Sequence, residues 1–246
     1  MSYIKTKGIV VRQVNTGEAD KIVTIFSKDL GKISCSAKGA RRPRSSYVAA
    51  TQLLCYSDFV LFKGRDMYSI NSCDVIESFY DIRNDIARLT YASHMSEIIN
   101  DVIMEGQPSK RVLQLFLNSL HMLSNTDKSA ELIIRIFEIR LLSILGYAPG
   151  INGCSACGST DDETFYFSFR KSGFICENCL NSDENAVKIS KGVVKALNYI
   201  IYSKIEDVFS FNLSEDVLKG LSDISKRYLS ETLEKDYSKL DFLKNL

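Results

Sequence analysis

The chain lacks any apolar run long enough to cross a membrane. A membrane-spanning helix needs about 20 consecutive apolar residues, and no stretch of these 246 residues approaches that length. The first residues, Met1-Ser2-Tyr3-Ile4-Lys5, also lack the apolar core of a secretory signal. Proline is scarce, with 3 in the whole chain, and no low-complexity tract occurs. We therefore expect a compact cytoplasmic protein with no membrane contact and no long linkers.

Catalytic motifs are missing as well. Neither the His-Glu-x-x-His pattern nor the Gly-x-Ser-x-Gly pattern occurs. The nearest approach to a phosphate-binding loop, residues 153–160, has Ser159 where that motif requires lysine. Both histidines lie in helical segments, and His94 lacks the following glutamate of a zinc deaminase. The sequence therefore indicates a binding protein and not an enzyme.

Four of the cysteines have the spacing of a metal site. They form the pairs Cys154-x-x-Cys157 and Cys176-x-x-Cys179, with positions 158–175 between the pairs, a separation inside the window typical of zinc sites. Two short strands, at residues 165–169 and 173–175, would return the second pair to the first. Four thiolates complete a tetrahedral shell, so we predict a structural Zn²⁺ in a ribbon at about residues 150–182. Two disulfides are the alternative, but nothing else indicates an oxidising compartment.

The other three cysteines, Cys35, Cys55 and Cys73, lie in apolar segments that resemble strands. An odd number of remaining cysteines suits a reducing compartment better than secretion. We expect these three to be small core residues and not reactive thiols.

The net charge of +1 hides an asymmetry along the chain. Residues 1–80 contain 12 Lys and Arg against 7 Asp and Glu, whereas residues 81–246 contain 19 against 23. Five cations and no acid occur between positions 32 and 44: Lys32, Lys38, Arg41, Arg42 and Arg44. A basic module on a near-neutral scaffold is typical of nucleic-acid binding. On charge alone, a solvated loop remains the alternative.

Residues 1–80 have the alternating pattern of β-strands. In three runs, the pattern predicts that alternate residues share one face of a strand: Ile9 and Val11; Ile22, Thr24 and Phe26; Ile33, Cys35 and Ala37. Two further runs cover residues 59–62 and 67–76. Five short strands in about 75 residues match the size of an OB-fold barrel, which often binds nucleic acid. The basic segment 38–46 falls between the third and fourth strands, as a loop that can lie along a phosphate backbone.

From residue 82 the apolar spacing becomes helical. Helices are predicted near residues 89–102 and 112–123, with Ser109 as an N-cap, and near 130–145, 193–200 and after Ser214. The helix near 130–145 is apolar on most sides and should be central. The predicted fold class is α+β: an OB-fold β-barrel at residues 1–80, then an α-helical domain at 81–246 interrupted by the four-cysteine zinc ribbon.

Several of these segments resemble one family. Residues 7–12, 17–24 and 31–33 are similar to the N-terminal barrel of the RecO family of bacterial DNA repair proteins. The run Lys38-Gly39-Ala40-Arg41-Arg42-Pro43-Arg44-Ser45 resembles that family's basic barrel loop, and residues 141–149 running into 154–158 resemble a later segment. The resemblance covers roughly residues 1–180. The remainder of the chain resembles the family only in having a helical pattern. Some family members lack the zinc cysteines, but this chain keeps all four.

The resemblance implies a recombination mediator without ATPase activity. RecO-like proteins bind single- and double-stranded DNA and anneal complementary strands. With RecR they displace single-strand-binding protein so that RecA loads on gapped DNA. We therefore expect DNA contacts from the basic residues identified above: Lys32, Lys38, Arg41, Arg42 and Arg44. The expected location is the bacterial cytoplasm, at the nucleoid.

A further partner follows from the same resemblance. The acidic C-terminal tail of single-strand-binding protein needs a hydrophobic groove with a basic rim, and grooves between helices provide one. We expect that groove in the helical domain, at residues 110–116 or 226–229, where basic pairs adjoin apolar residues. The alternative function that the residues leave open is a zinc-ribbon adaptor for protein contacts in transcription or translation.

Overall fold

The computed structural model describes residues 3–160 and 164–245. By its internal contacts the chain divides into two units. The first unit comprises the chain up to Asn125 together with the segment from Ser238 onward, and the second is Thr126–Tyr237.

Five strands of the first unit form a closed barrel. They are β1 (Tyr3–Thr16), β2 (Asp20–Ser27), β3 (Gly31–Ala37), β4 (Tyr56–Lys63) and β5 (Tyr68–Glu77), in the order β1-β2-β3-β5-β4. Neighbouring strands are antiparallel except β3 and β5, which are parallel. A short helix, α1 (Tyr47–Ala50), lies between β3 and β4. This topology confirms the predicted OB-type barrel.

The barrel interior corrects the predicted face of β2. Val23 and Ile25 are fully buried in the core, whereas Ile22 and Thr24 are half-buried on the outer side. The alternation in the sequence instead favours the face that carries Ile22, Thr24 and Phe26. Because β2 is apolar on both faces and Phe26 is also fully buried, alternation alone could not determine its phase.

The three cysteines outside the paired motifs are core residues, as predicted. Cys35 and Cys55 are fully buried, and Cys73 packs against the barrel core. Burial raises the pKa of the Cys35 thiol to about 12. Burial, together with the nearby Asp74, raises the pKa of Cys73 to about 11. Both groups therefore stay protonated near neutral pH, as inert thiols do.

Helices complete the first unit. They are α2 (Tyr80–Arg83), α3 (Ile86–Val102) and α4 (Lys110–Asn125), with a final 3-10 helix at Lys239–Asn245. The Ser109 hydroxyl accepts a hydrogen bond from the Val112 amide at 3.4 Å, which confirms the predicted N-cap of α4. The Ser96 hydroxyl donates to the Val11 carbonyl at 2.9 Å and ties α3 to β1.

The second unit surrounds a buried helix, as predicted. Its elements are α5 (Ala130–Ile144), β6 (Phe165–Ser168), β7 (Gly173–Cys176), a 3-10 helix at Glu177–Ser182, β8 (Val187–Ile189), α6 (Lys191–Tyr202) and α7 (Glu215–Leu233). The strands form a small sheet in the order β7-β6-β8, of which β8 was not predicted. Ser214 precedes α7 as predicted, but its side chain makes no capping hydrogen bond.

An ion network inside the second unit joins α5 to α7. The Arg135 guanidinium is fully buried and contacts the Glu138 carboxylate at 2.5 Å and the Glu131 carboxylate at 3.0 Å. The Ser225 hydroxyl donates to Glu138 at 2.6 Å, and the Ser222 hydroxyl donates to Glu131 at 2.7 Å. These contacts compensate for burying the charges.

The division by contacts groups α3 and α4 with the barrel. The predicted division into a barrel domain at residues 1–80 and a helical domain at 81–246 stays a prediction. Within the described ranges, no helix has the length and apolar character needed to cross a bilayer.

Candidate nucleic-acid interface and metal centre

The basic loop, residues 38–46, is folded onto the β1–β2 turn. The Gly39 amide donates to Asp20 Oδ1 at 2.7 Å, and the Arg41 amide donates to the Ala19 carbonyl at 2.9 Å. The Arg42 amide donates to the Gly39 carbonyl at 3.0 Å. Gly39 has φ +67°, a conformation that glycine adopts without a Cβ penalty. Hydrogen bonds from its own amides therefore fix the loop backbone. Its basic side chains are exposed, and the Arg41 guanidinium also donates to the Gly17 carbonyl at 3.5 Å.

Four cations project from this fixed backbone. Lys38, Arg41, Arg42 and Arg44 are all exposed. The structure thus brings four of the five predicted DNA-contacting residues together in one loop. Exposed cations on a fixed backbone would need little further ordering of the chain to contact an anion.

Lys21 belongs to the same positive surface, although the sequence did not indicate it. It is half-buried on β2, where it pairs with Ala37 at the start of the loop. Burial and the positive charge of Arg41 together lower its pKa. Seventeen positions separate Lys21 from Lys38 in the sequence, so only the pairing of β2 with β3 reveals their proximity.

Lys32 lies apart from the basic loop. It is at the opposite end of β3 from Lys38, about 20 Å away at roughly 3.3 Å per residue. Its ammonium group donates to the Asn100 carbonyl at 2.5 Å, near the end of α3. Lys32 therefore makes a contact within the first unit and does not belong to the basic loop, and its contact with DNA stays a prediction.

The four motif cysteines converge on one point in the second unit. Their Sγ atoms all lie within 4.8 Å of one another, and all four are free thiols. The Sγ atoms of Cys157 and Cys176 are 3.7 Å apart. A tetrahedral zinc site with Zn–S bonds of about 2.3 Å requires about 3.8 Å between sulfur atoms, whereas a disulfide requires about 2.05 Å. The geometry therefore fits a tetrahedral metal ion and not a disulfide.

Local hydrogen bonds shape the first cysteine pair. The Gly158 amide donates to the Cys154 carbonyl at 2.7 Å, and Gly158 has φ +78°. The Ser155 amide donates to the Phe174 carbonyl at 2.6 Å and joins this turn to β7. β7 ends at Cys176, and the 3-10 helix after it places Cys179 beside the others.

The electrostatics of the cluster favour a thiolate at Cys154. Burial raises the pKa of Cys154, but hydrogen bonds from the amides of Cys176, Cys157 and Ala156 outweigh it and lower the pKa to about 6. Hydrogen bonds with the Cys176 and Cys157 thiols raise the pKa of Cys179 to about 12. A stabilised thiolate at Cys154 suits a divalent cation, and the binding of a metal to cysteines displaces thiol protons.

A groove of about 500 Å³ lies between β8, α6 and α7. Its apolar lining includes Phe169, Ile189, Val193 and Ile224. The Arg227 guanidinium lies 3.9 Å from the centre of the Phe169 ring and also lines the groove.

Of the two segments predicted to receive an acidic tail, only one borders this groove. Residues 226–229 border the groove through Arg227. In residues 110–116, by contrast, Val112, Leu113 and Phe116 are buried in the first unit and offer no apolar surface.

The fold and the two sites define a class: OB-barrel proteins with a basic loop and a four-cysteine ribbon set among helices. Two family models match this chain, Recombination protein O N terminal over residues 1–79 and Recombination protein O C terminal over residues 83–241. The chain belongs to the RecO family of DNA repair proteins. The resemblance found in the sequence is therefore confirmed.

Curated relatives match the chain from end to end. The DNA repair protein RecO of Acetivibrio thermocellus is 65% identical over 246 residues, which cover 100% of this chain and 98% of that protein. The DNA repair protein RecO of Alkaliphilus metalliredigens is 35% identical over 244 residues, and that of Caldicellulosiruptor saccharolyticus is 36% identical over 244 residues. Each of these two alignments covers 99% of both chains.

Proposed function

We propose that this protein is a non-enzymatic DNA-binding mediator of recombination and repair. It binds single- and double-stranded DNA and anneals complementary single strands. With RecR, it helps RecA load onto gapped DNA that single-strand-binding protein has coated. It works in the bacterial cytoplasm, at the nucleoid. Membership of the RecO family supports the repair role.

The basic loop supports the proposed mode of DNA binding. Lys38, Arg41, Arg42 and Arg44 offer four exposed cations between positions 38 and 44. Cations of this kind contact phosphates, which carry no sequence information. An annealing protein has to accept any sequence and leave the base edges free to pair. Neutralising phosphates on two strands also reduces the repulsion that opposes their approach.

We propose that the four motif cysteines hold a structural Zn²⁺. Four thiolates complete the coordination shell and leave no open position for a substrate. The bound ion would therefore stabilise the fold. Cys154 and Cys157 precede the β6–β7 hairpin, Cys176 is its last residue, and Cys179 follows it. The bound ion would thus close the ribbon between α5 and α6.

We also propose that the groove beside Arg227 receives the acidic tail of single-strand-binding protein. The Arg227 guanidinium, which also pairs with the Glu231 carboxylate at 2.6 Å, and the nearby Lys188 supply positive charge. Phe169 and Ile224 supply apolar surface. Asp216 and Asp223 also line the groove, and Asp223 lies one helical turn before Arg227 on α7, so the acidic part of a peptide has to avoid these two carboxylates. Arg227→Ala should weaken binding of a fluorescent tail peptide, whereas Arg111→Ala, an exposed arginine on α4, should leave it unchanged. Equal binding by both variants would exclude this groove.

An annealing assay tests the main proposal. Two complementary oligonucleotides coated with single-strand-binding protein should anneal faster with the protein present, without ATP. Arg41→Ala combined with Arg42→Ala should remove most of the acceleration. Lys191→Ala with Lys195→Ala removes the same charge from exposed positions of α6 and should leave the acceleration of annealing unchanged. An absolute requirement for ATP, or full annealing by the arginine double variant, would contradict the proposal.

A further inference from the structure

A ring of outward-facing side chains runs once around the closed barrel, starting and ending on β1. Successive cross-strand pairs join six residues: Tyr3, Phe62, Ser69, Ser36, Ile22 and Val14. We call these six residues the outer row. Adjacent strands lie about 4.8 Å apart, so five steps give the row a length of about 24 Å around the barrel surface.

The outer row faces away from the barrel core. Leu61, Ile70 and Cys35, which neighbour its members along the strands, are buried in the barrel interior. Since successive side chains of a strand point to opposite faces, the row members point outward. Tyr3 is 60% exposed and Val14 is 46% exposed, and the four between them are half-buried. The row thus exposes apolar side chains at both ends and small serines in the middle.

An aromatic pair forms one end of the outer row. The rings of Tyr3 and Phe62 have centroids 6.0 Å apart and meet edge to face at 60°. This contact orients the Tyr3 ring while most of its surface remains accessible. An exposed, oriented aromatic ring is the kind of platform on which unpaired bases stack.

Exposed basic residues lie beside the outer row at three points around the barrel. Lys5 lies two positions along its strand from Tyr3, Lys38 two positions from Ser36, and Arg12 two positions from Val14. All three cations are exposed. Within two positions of the row, the only acid among the described residues is Asp20. Its carboxylate already accepts a hydrogen bond from the Gly39 amide of the basic loop. The surroundings of the row therefore attract a polyanion.

We infer that the end of the outer row at Tyr3 and Phe62 is a stacking site for the bases of single-stranded DNA, with Tyr3 as its main contact. Lys5, two positions along β1 from Tyr3, would then contact the adjacent phosphate. The inference rests on the proposed function, because it assumes that the barrel binds DNA. It adds a means of discrimination: the bases of a duplex are already paired and stacked, so the row adds affinity for single strands only. The basic loop, by contrast, serves both forms.

The test uses the full-length protein and three fluorescent DNAs at one fixed salt concentration. They are a 15-nucleotide thymidine strand, a strand of the same length without bases, and a 15-base-pair duplex. Tyr3→Ala should weaken binding of the thymidine strand about 5- to 100-fold and leave the other two unchanged. Tyr3→Phe should bind as the original protein does. Tyr80→Ala, which removes another exposed tyrosine, should have no effect.

Two further variants separate stacking from charge and from folding. Tyr3→Lys adds a cation, so a purely electrostatic site would bind more tightly, whereas a stacking site should still lose affinity for the thymidine strand. Tyr3→Leu keeps apolar contact with Phe62 but removes the ring, and it should behave as Tyr3→Ala does. Tighter binding by Tyr3→Lys, unchanged binding by Tyr3→Ala, or an equal loss on the strand without bases would each overturn the inference. Failure of the original protein to bind any of the three DNAs would instead overturn the proposed function.

Discussion

Removing Arg41 and Arg42 together should reduce the salt dependence of DNA binding by a calculable amount. Both guanidinium groups are exposed on the basic loop. Each phosphate contact with a single strand contributes about −0.7 to the slope of log affinity against log salt. The four cations of the loop therefore contribute about −2.8, and the double alanine variant should lose about half of that. Lys32 is left out because its ammonium group contacts the Asn100 carbonyl.

The loss of two contacts has a direct numerical consequence. Between 50 and 200 mM salt, the original protein should lose about sevenfold more affinity than the double variant, from a slope difference of about 1.4. The loop should keep its shape, since Gly39 and the backbone of Arg41 are held by bonds from main-chain amides. The loss should be the same for every DNA sequence, because phosphate contacts do not read bases.

Fluorescence anisotropy over a series of salt concentrations measures these slopes. Lys191→Ala with Lys195→Ala changes the net charge equally on exposed positions of α6 and should keep the original slope. If the arginine variant retains the full slope, the basic loop does not contact DNA. If both double variants lose slope equally, the effect reflects total charge, and no particular site is supported.

Three other predictions concern stability. Cys176→Ser should lower bound zinc and the melting temperature together, because zinc binding is coupled to folding; normal melting with no zinc would show that the ion is not structural. Arg135→Ala should destabilise the protein by about 3–5 kcal/mol in denaturant unfolding, since it removes the cation that pairs with the buried Glu138 carboxylate; a loss below about 1 kcal/mol would contradict this. Although burial raises the pKa of Glu131, Arg135 and Ser222 lower it to about 2, so its contribution to stability is present above about pH 4.5 and is lost as the pH falls towards 2. Glu131→Gln should therefore melt lower than the original protein at pH 6 and converge with it near pH 2, and a constant difference would refute the assignment.

Patterns that are local in the sequence predicted most of the architecture. Two Cys-x-x-Cys pairs on either side of positions 158–175 indicated a cluster because the motif itself specifies the geometry. The spacing of apolar residues at three and four positions located α3 to α7, whose buried faces are on one side or, in α5, all round. The alternation of side chains located all five barrel strands.

Features that depend on strand register or on the packing of one element against another could not be predicted from the sequence. The phase of β2 was ambiguous because both of its faces are apolar, and the position of Lys32 depends on how α3 lies against the barrel. The proximity of Lys21 to Arg41 requires the pairing of β2 with β3. Likewise, Tyr3 and Phe62 are 59 positions apart in the sequence, and only the pairing of β1 with β4 brings them together.

A map of protein–DNA crosslinks tests the central claim most directly, because it examines the barrel, the ribbon and the helices in one experiment. A single-stranded oligonucleotide with photoreactive bases and phosphates, crosslinked to the full-length protein, should label the basic loop at residues 38–46 and the β1 segment that begins at Tyr3. Phosphate-linked probes should favour the loop, and base-linked probes should favour Tyr3. Crosslinks confined to the ribbon at residues 150–182 or to α5–α7, with none on the barrel, would contradict the account.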